Sequence, residues 1–254
     1  MAAVMTIAWR DLRSILISPK GGAIFFFFFL ILGMFFGNFV EQFLKIQEQS
    51  AMAGASSTTL EDLIRAVFYN AHFLLLFIIP AITMSSFAEE KKNESFKLLQ
   101  SAPLTAIQIV LGKFLAVAGV MGLVLLGTAV YPLFLMKFGD PDVGVILSSY
   151  LGMFLLTCSW LALGLWISSL VSNVFLAFTF TMLGLFLLMV LNWLSESIAS
   201  GTGVESFLKY IASTDHLDVF FKGMLSVSDV TYFACFIALF LFFTNFVLDS
   251  QRWR

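Results

Sequence analysis

From Val143 to Ser195 the chain contains no Asp, Glu, Lys or Arg. A helix that is apolar around its whole circumference must be buried on every side or sit in lipid, and about 20 such residues suffice to cross a bilayer. The run is long enough for two crossings, and the short polar interruption Val171, Ser172 and Asn173 divides it. It therefore reads as a membrane hairpin with spans at 143–170 and 174–194. The chain as a whole follows the pattern: 60% of its 254 residues are hydrophobic and 12% charged, about half the charge of an ordinary globular domain. The expected fold is a single all-α membrane domain over residues 1–254 with six transmembrane helices. The other four spans fall at about 23–43, 66–88, 106–136 and 231–248 on hydropathy. Pro80 should kink the second, and Gly139 with Pro141 should turn the chain after the third.

Three further segments have their own character. Over residues 4–18, Met5, Ala8, Trp9, Leu12 and Leu16 share one helical face while Arg10, Asp11, Arg13 and Ser14 share another, which predicts an amphipathic helix lying in the membrane plane. Pro19 to Gly22 should break it. Lys45 to Arg65 is polar and rich in Ser, Thr and Ala, and reads as a loop outside the membrane. Between the fifth and sixth spans, Phe207, Leu208, Ile211, Leu217, Phe220, Phe221, Met224 and Leu225 alternate with polar groups, which predicts short outer amphipathic helices dipping into the leaflet. A cleaved signal peptide does not fit the N-terminal region, because the apolar stretch is too long and the small residues Ser50 to Ala53 lie too far along.

Basic residues set the orientation. With the N-terminus cytoplasmic, Arg10, Arg13, Lys20, Lys91, Lys92, Lys97, Lys113, Arg252 and Arg254 fall inside, against Lys45, Arg65, Lys137, Lys209 and Lys222 outside. Both termini are then expected in the cytoplasm.

The missing charges also limit the chemistry. A charge at the bilayer centre costs about 2.5–3.5 kcal/mol even on insertion scales, so proton- or sodium-driven transporters keep one only where it works, and the span interiors here keep none. No G-x-x-x-x-G-K-[ST] phosphate loop supplies ATP chemistry, and no H-E-x-x-H or G-x-S-x-G motif supplies hydrolysis. Cys158 and Cys235 fall inside apolar spans, which argues against a disulfide or zinc site. His72 and His216 lack metal-ligand spacing and read as polar residues near the outer boundary. No catalytic residue, metal ligand or cofactor is expected in this chain. What is left is a permease driven by a separate ATPase, a passive channel, or a structural membrane component of an envelope complex. Asn38, Thr128, Tyr131, Thr157, Asn192 and Asn245 are the polar span residues that a substrate pathway would use, and each could equally bond a neighbouring helix.

The charged exception is Phe87 to Lys113. Glu89, Glu90, Lys91, Lys92 and Glu94 precede Phe96, Leu98 and Leu99, which a helix places on one side. Pro103 ends that helix, and Thr105 with Gln108 forms a capping box that opens the next. By composition alone this is either a solvated loop or a surface helix that transmits force between two spans.

At these residues the chain resembles the membrane subunits of ABC-2 type ABC transporters. The positions that carry the resemblance are Glu89, Glu90, Lys91, Lys92, Ser95, Leu98, Leu99, Ser101, Pro103 and Thr105, followed by Ile109, Val110, Leu111, Gly112 and Lys113. Glu94 stands where that pattern has glycine, and Lys97 where it has a carboxylate. Towards the C-terminus, Asp215, His216, Phe220, Gly223, Asp229, Tyr232, Phe233, Thr244, Arg252 and Trp253 look like the gliding-motility and copper-enzyme-maturation branch of the family.

The resemblance implies a permease subunit, and by expectation an exporter, in the bacterial cytoplasmic membrane. Its first cytoplasmic loop, 89–105, would carry a coupling helix that docks on an ABC ATPase through Glu89, Glu90, Lys91, Lys92, Phe96, Leu98, Leu99 and Pro103. Phe96, Leu98 and Leu99 would be the buried anchors, with Glu90 and Lys91 on a solvated rim. ATP and Mg would belong to that partner. A second permease, a copy or a homologue, membrane lipids and a periplasmic or envelope component complete the expected partners, and no nucleic acid is among them.

Overall fold

The computed structural model describes residues 2–53, 59–93, 104–139, 141–197 and 210–252, and among these every regular element is helical. In chain order these are α1 (Ala2–Ile17), α2 (Pro19–Ala53), α3 (Leu60–Thr83), α4 (Ala106–Gly127), α5 (Val130–Leu135), α6 (Val143–Leu170), α7 (Val174–Ser197), α8 (Ser213–Phe221) and α9 (Val227–Arg252). Six stretches are long and apolar enough to cross a membrane: those built on α2, α3, α4 with α5, α6, α7 and α9.

The uncharged hairpin predicted from sequence is α6 and α7. Asp142 opens α6 by accepting a hydrogen bond from the Gly144 amide at 2.7 Å, and Asn173 accepts from the Phe175 amide at 2.9 Å as α7 begins. α6 touches α3, α4, α7, α8 and α9, and between its ends only a strip through Leu147, Leu151 and Phe154 is left uncovered. That position explains why it is apolar all round, with Trp160, Leu161 and Ala162 almost wholly enclosed. α2, α7 and α9 lie outside this centre and leave most of their apolar surface uncovered.

Several helix boundaries differ from the sequence reading. The polar stretch 45–65 is largely helical: α2 runs on to Ala53, with Glu41 and Lys45 paired at 2.5 Å across one turn. α3 starts at Leu60 because Thr59 and Asp62 form a capping box, Thr59 Oγ1 donating to Asp62 Oδ2 at 2.9 Å. With 35 residues, α2 spans about 50 Å and outreaches a hydrocarbon core of about 30 Å. The third span is broken between α4 and α5. Pro132 has no N–H for the Thr128 carbonyl, which accepts from the Tyr131 amide at 3.0 Å instead, tightening the turn. Pro80 does sit inside α3, and just beyond it Ser85–Glu89 widen into a π-helical turn that continues as one α-turn, Glu90–Lys92.

α1 and α2 meet at a corner rather than a loop. Only Ser18 separates them, Pro19 takes the first helical position of α2, and the Gly22 amide reaches the Ser18 carbonyl at 2.9 Å. A Cβ at Gly21 would overlap the Ile15 carbonyl oxygen, so the corner requires glycine there. The apolar arc of α1 is also wider than the five residues predicted. Ile7 and Ala8 are buried, and Ile7 and Val4 approach α4 where a Cβ on Gly112 would stand 2.8 Å from Ile7 Cγ2. Met5, Trp9 and Leu16 remain exposed beside this buried strip.

At the opposite end of the bundle α8 closes over α6. Leu217, Phe220 and Phe221 are buried against the bundle instead of facing lipid, while Met224 and Leu225 are exposed. Ser148 donates to the Phe220 carbonyl at 2.8 Å and Arg65 to the Phe221 carbonyl at 2.9 Å, fixing the end of α8 to α6 and α3. Phe207 and Leu208 lie outside the described residues. Both histidines have partners inside the protein. His72 is buried in α3 with its ring 5.0 Å from that of Trp160. His216 Nδ1 lies 2.6 Å from Asp229 Oδ1, and its ring stacks on Tyr232 at 4.0 Å.

Candidate functional site: the root of the charged loop

The described residues on either side of 94–103, up to Asn93 and from Leu104 on, are rooted in one cluster of ion pairs. At the centre stands Lys113, two turns into α4, with a side chain only 3% exposed. Its neighbours along α4, Ile109, Val110, Ala116 and Val117, are buried too, and none of them can offset an ammonium charge. The compensation comes from elsewhere in the chain: Asp11 Oδ2 of α1 at 3.1 Å and Glu90 Oε1 at 2.7 Å. The Phe87 ring adds a cation–π contact with its centroid 5.2 Å from Nζ. Arg10 completes the cluster from the surface, 2.8 Å from Asp11 and 3.6 Å from Glu90. The hydrogen bond that Arg10 donates to Asp11, reinforced by the charges of Asp11 and Glu90, raises the Arg10 pKa above its already high ordinary value.

The π-helical turn joins this cluster to α6. At this turn the Phe87 and Ala88 amides both donate to Ser168 Oγ at 3.2 Å. Lys91 Nζ donates to the Ser169 carbonyl, which also accepts from Gln251 of α9 at 3.4 Å. A lysine at the carbonyl end of a helix satisfies an orphan acceptor and complements the helix dipole. Glu89 faces the other way, towards Lys20 of α2 at 3.1 Å. The returning end is capped as predicted, the Thr105 amide donating to Gln108 Oε1 at 3.1 Å. Through these bonds the short segment Phe87–Lys91 holds α1, α2, α4 and α6 at once.

The residues predicted to meet a partner therefore divide. Glu90 and Lys91, expected on a solvated rim, are half-buried and engaged inside the chain because the π-helical turn points them at Lys113 and Ser169. Glu89 is partly exposed, and Lys92 is exposed. Phe96, Leu98, Leu99 and Pro103 lie outside the described residues. Of the polar span residues, Thr128 and Tyr131 flank the same apolar recess, Thr128 with its hydroxyl 3.1 Å from that of Tyr150 and Tyr131 donating to the Phe29 carbonyl at 3.3 Å. Thr157 is spent on its own helix, donating to the Met153 carbonyl at 2.7 Å. Asn245 donates to Asp249 at 3.2 Å, Asn38 is exposed on α2, and Asn192 lies on α7. Among the described residues, no hydrogen bond joins Asn38, Asn245 or Thr157 to the Thr128–Tyr131 pair.

Lys113 and Ser168 were not singled out as site residues from the sequence. A signal existed for the lysine: it is a lone cation in an apolar helix with no carboxylate within a turn on either side, so its partner had to come from another element. Ser168 carried none, since its role depends on the π-helical turn of a different helix.

An all-helical protein with six apolar crossings and one charged loop rooted in an ion-paired cluster belongs to the class of multi-pass membrane proteins. Comparison with protein families then identifies it more closely. The family described as ABC-2 family transporter protein matches residues 5–248, nearly the whole chain, and the chain belongs to that family. Its members are membrane transport components that in general act with an ABC ATPase. No curated protein matches the chain in sequence.

Proposed function

We propose that the chain is the permease subunit of an ATP-driven ABC-2 type exporter and that loop 89–105 docks on a separate ATPase subunit at the cytoplasmic face. The observation that carries this reading is the rooting of the loop. A displacement at Asn93 is handed to α1 and α4 through Glu90 and Lys113, to α2 through Glu89 and Lys20, and to α6 through Ser168 and Lys91. A loop that merely joined two spans would have no need of bonds to four helices. The π-helical turn suits the role, because such turns break the continuous helical ladder and often occur at functional sites. ATP and Mg act in the partner, and two permeases with two ATPases form the working unit in the cytoplasmic membrane, both termini inside. The C-terminal resemblance supports the gliding-motility and copper-enzyme-maturation branch.

The test is the double variant Leu98→Ala/Leu99→Ala. With membrane insertion and thermal stability unchanged, it should recover much less ATPase, since losing a buried interface anchor costs about 2 kcal/mol or more, roughly thirtyfold in affinity. Full ATPase recovery by this variant would refute docking through the apolar side of the loop. Failure of any ATPase to bind the unaltered protein would favour a passive channel or an envelope scaffold.

A further inference from the structure

Beside the root of the loop lies a cleft of about 340 Å³ that the coupling reading does not use. It opens between the α1–α2 corner, the π-helical turn, α4 and the first residue of α7. Its walls show the same gradient on three helices. Lys20, Glu89 and Lys113 line its charged end, while Ile24, Ile82 and Val117 line it one or two turns further along α2, α3 and α4, towards the middle of the membrane. Polarity falling along the membrane normal on several walls together is the profile of an amphiphile lying in a leaflet.

From this we infer that the cleft holds the headgroup of a zwitterionic phospholipid bearing a primary ammonium, from the leaflet on the α1 side. Lys20 Nζ, 75% exposed, and the Ser18 hydroxyl are placed to meet the phosphate, and Glu89, 3.1 Å from Lys20, to meet the ammonium. The charge balance does not favour a purely anionic headgroup: three carboxylates, Asp11, Glu89 and Glu90, face the cleft against two lysines, and Arg10 behind them only brings the cluster to neutrality. A quaternary ammonium has no N–H to give Glu89, so a choline headgroup forfeits the charge-assisted bond. The volume is at the small end for ligand pockets, which run from about 300 to 1,000 Å³. It admits the headgroup and the start of the acyl chains, and the rest of the chains continue over the uncovered apolar surfaces of α2 and α7. Bound there, the lipid ties the first crossing to the foot of the loop.

The experiment measures lipid retained per chain by native mass spectrometry. The full-length protein is purified into detergent with equal amounts of phosphatidylethanolamine, phosphatidylcholine and phosphatidylglycerol. One ethanolamine lipid per chain should be held over the other two by roughly tenfold, the worth of one hydrogen bond to a charged group. Glu89→Gln should erase the preference over choline lipid, and Lys20→Ala should weaken retention of all three. Ser86→Trp, which fills the cleft without touching an ion pair described above, should abolish retention at unchanged thermal stability. Equal retention of ethanolamine and choline lipids by the unaltered protein, preference for the glycerol lipid, or an unaltered preference in Glu89→Gln would overturn the assignment. A soluble arm separates lipid from free headgroup: phosphoethanolamine at millimolar concentration should not raise the thermal midpoint, and if it stabilises the chain as well as the lipid does, the cleft is a site for a soluble zwitterion and the proposal fails.

Discussion

Replacing Lys113 by methionine tests whether the ion cluster holds the root of the loop together. Methionine keeps most of the stem's bulk, so packing against Phe87 and its α4 neighbours changes little. What disappears is the cation 3.1 Å from Asp11 and 2.7 Å from Glu90. Removing one partner of a buried ion pair costs about 3–5 kcal/mol, because the other charge stays desolvated. Here the side chains of Asp11 and Glu90 keep 17% and 22% exposure, and Arg10 still reaches both from the surface. The expected cost is therefore below that range, about 2–3 kcal/mol. At about 2–4 °C per kcal/mol for a chain of this size, the thermal midpoint should fall by roughly 5–10 °C, read by tryptophan fluorescence of the protein in nanodiscs. The triple variant Lys113→Met/Asp11→Asn/Glu90→Gln should regain most of that loss, since it leaves no charge stranded. A single variant within about 1 °C of the unaltered protein, as for an exposed ion pair worth about 0–1 kcal/mol, would refute the claim that Lys113 is a buried tie. So would a triple variant no better than the single.

Ser168→Ala removes the shared acceptor of the Phe87 and Ala88 amides and should cost about 1–3 kcal/mol. Hydrogen exchange at those two amides should quicken, whereas unchanged exchange would mean that the π-helical turn does not depend on α6. Gly112→Val should force Ile7 and Val4 away from α4 and destabilise by about 1–3 kcal/mol; a thermal midpoint equal to that of the unaltered protein would show that α1 is not held there. For orientation, with Cys158 and Cys235 replaced, a cysteine at the exposed position Ser228 should react with a membrane-impermeant thiol reagent in intact cells, and one at exposed Ser14 should not. The reverse labelling would invert the protein and place the charged loop outside.

The sequence by itself determined the crossings and their caps. An uncharged run from Val143 to Ser195 must be covered by protein or by lipid, which makes it a membrane hairpin, and the turn at Val171–Asn173 and the Thr105–Gln108 cap follow from residues within a few positions of one another. The same local logic was available for the start of α3, where Thr59 and Asp62 repeat the capping pattern inside a stretch polar enough to look like a loop. Only the tertiary structure decided which charges are exposed and which are ties. Glu90 and Lys91 sit among hydrophilic neighbours in sequence, and Lys113 opens no visible motif of its own. Yet Lys113 is bound to Glu90 across 23 positions and to Asp11 across 102. Helical periodicity reaches a turn or two along the chain, so it can place Lys113 on a face of α4. It cannot say that α1 folds back over Gly112, or that a π-helical turn aims Glu90 at the same ammonium, because those depend on how separate helices pack.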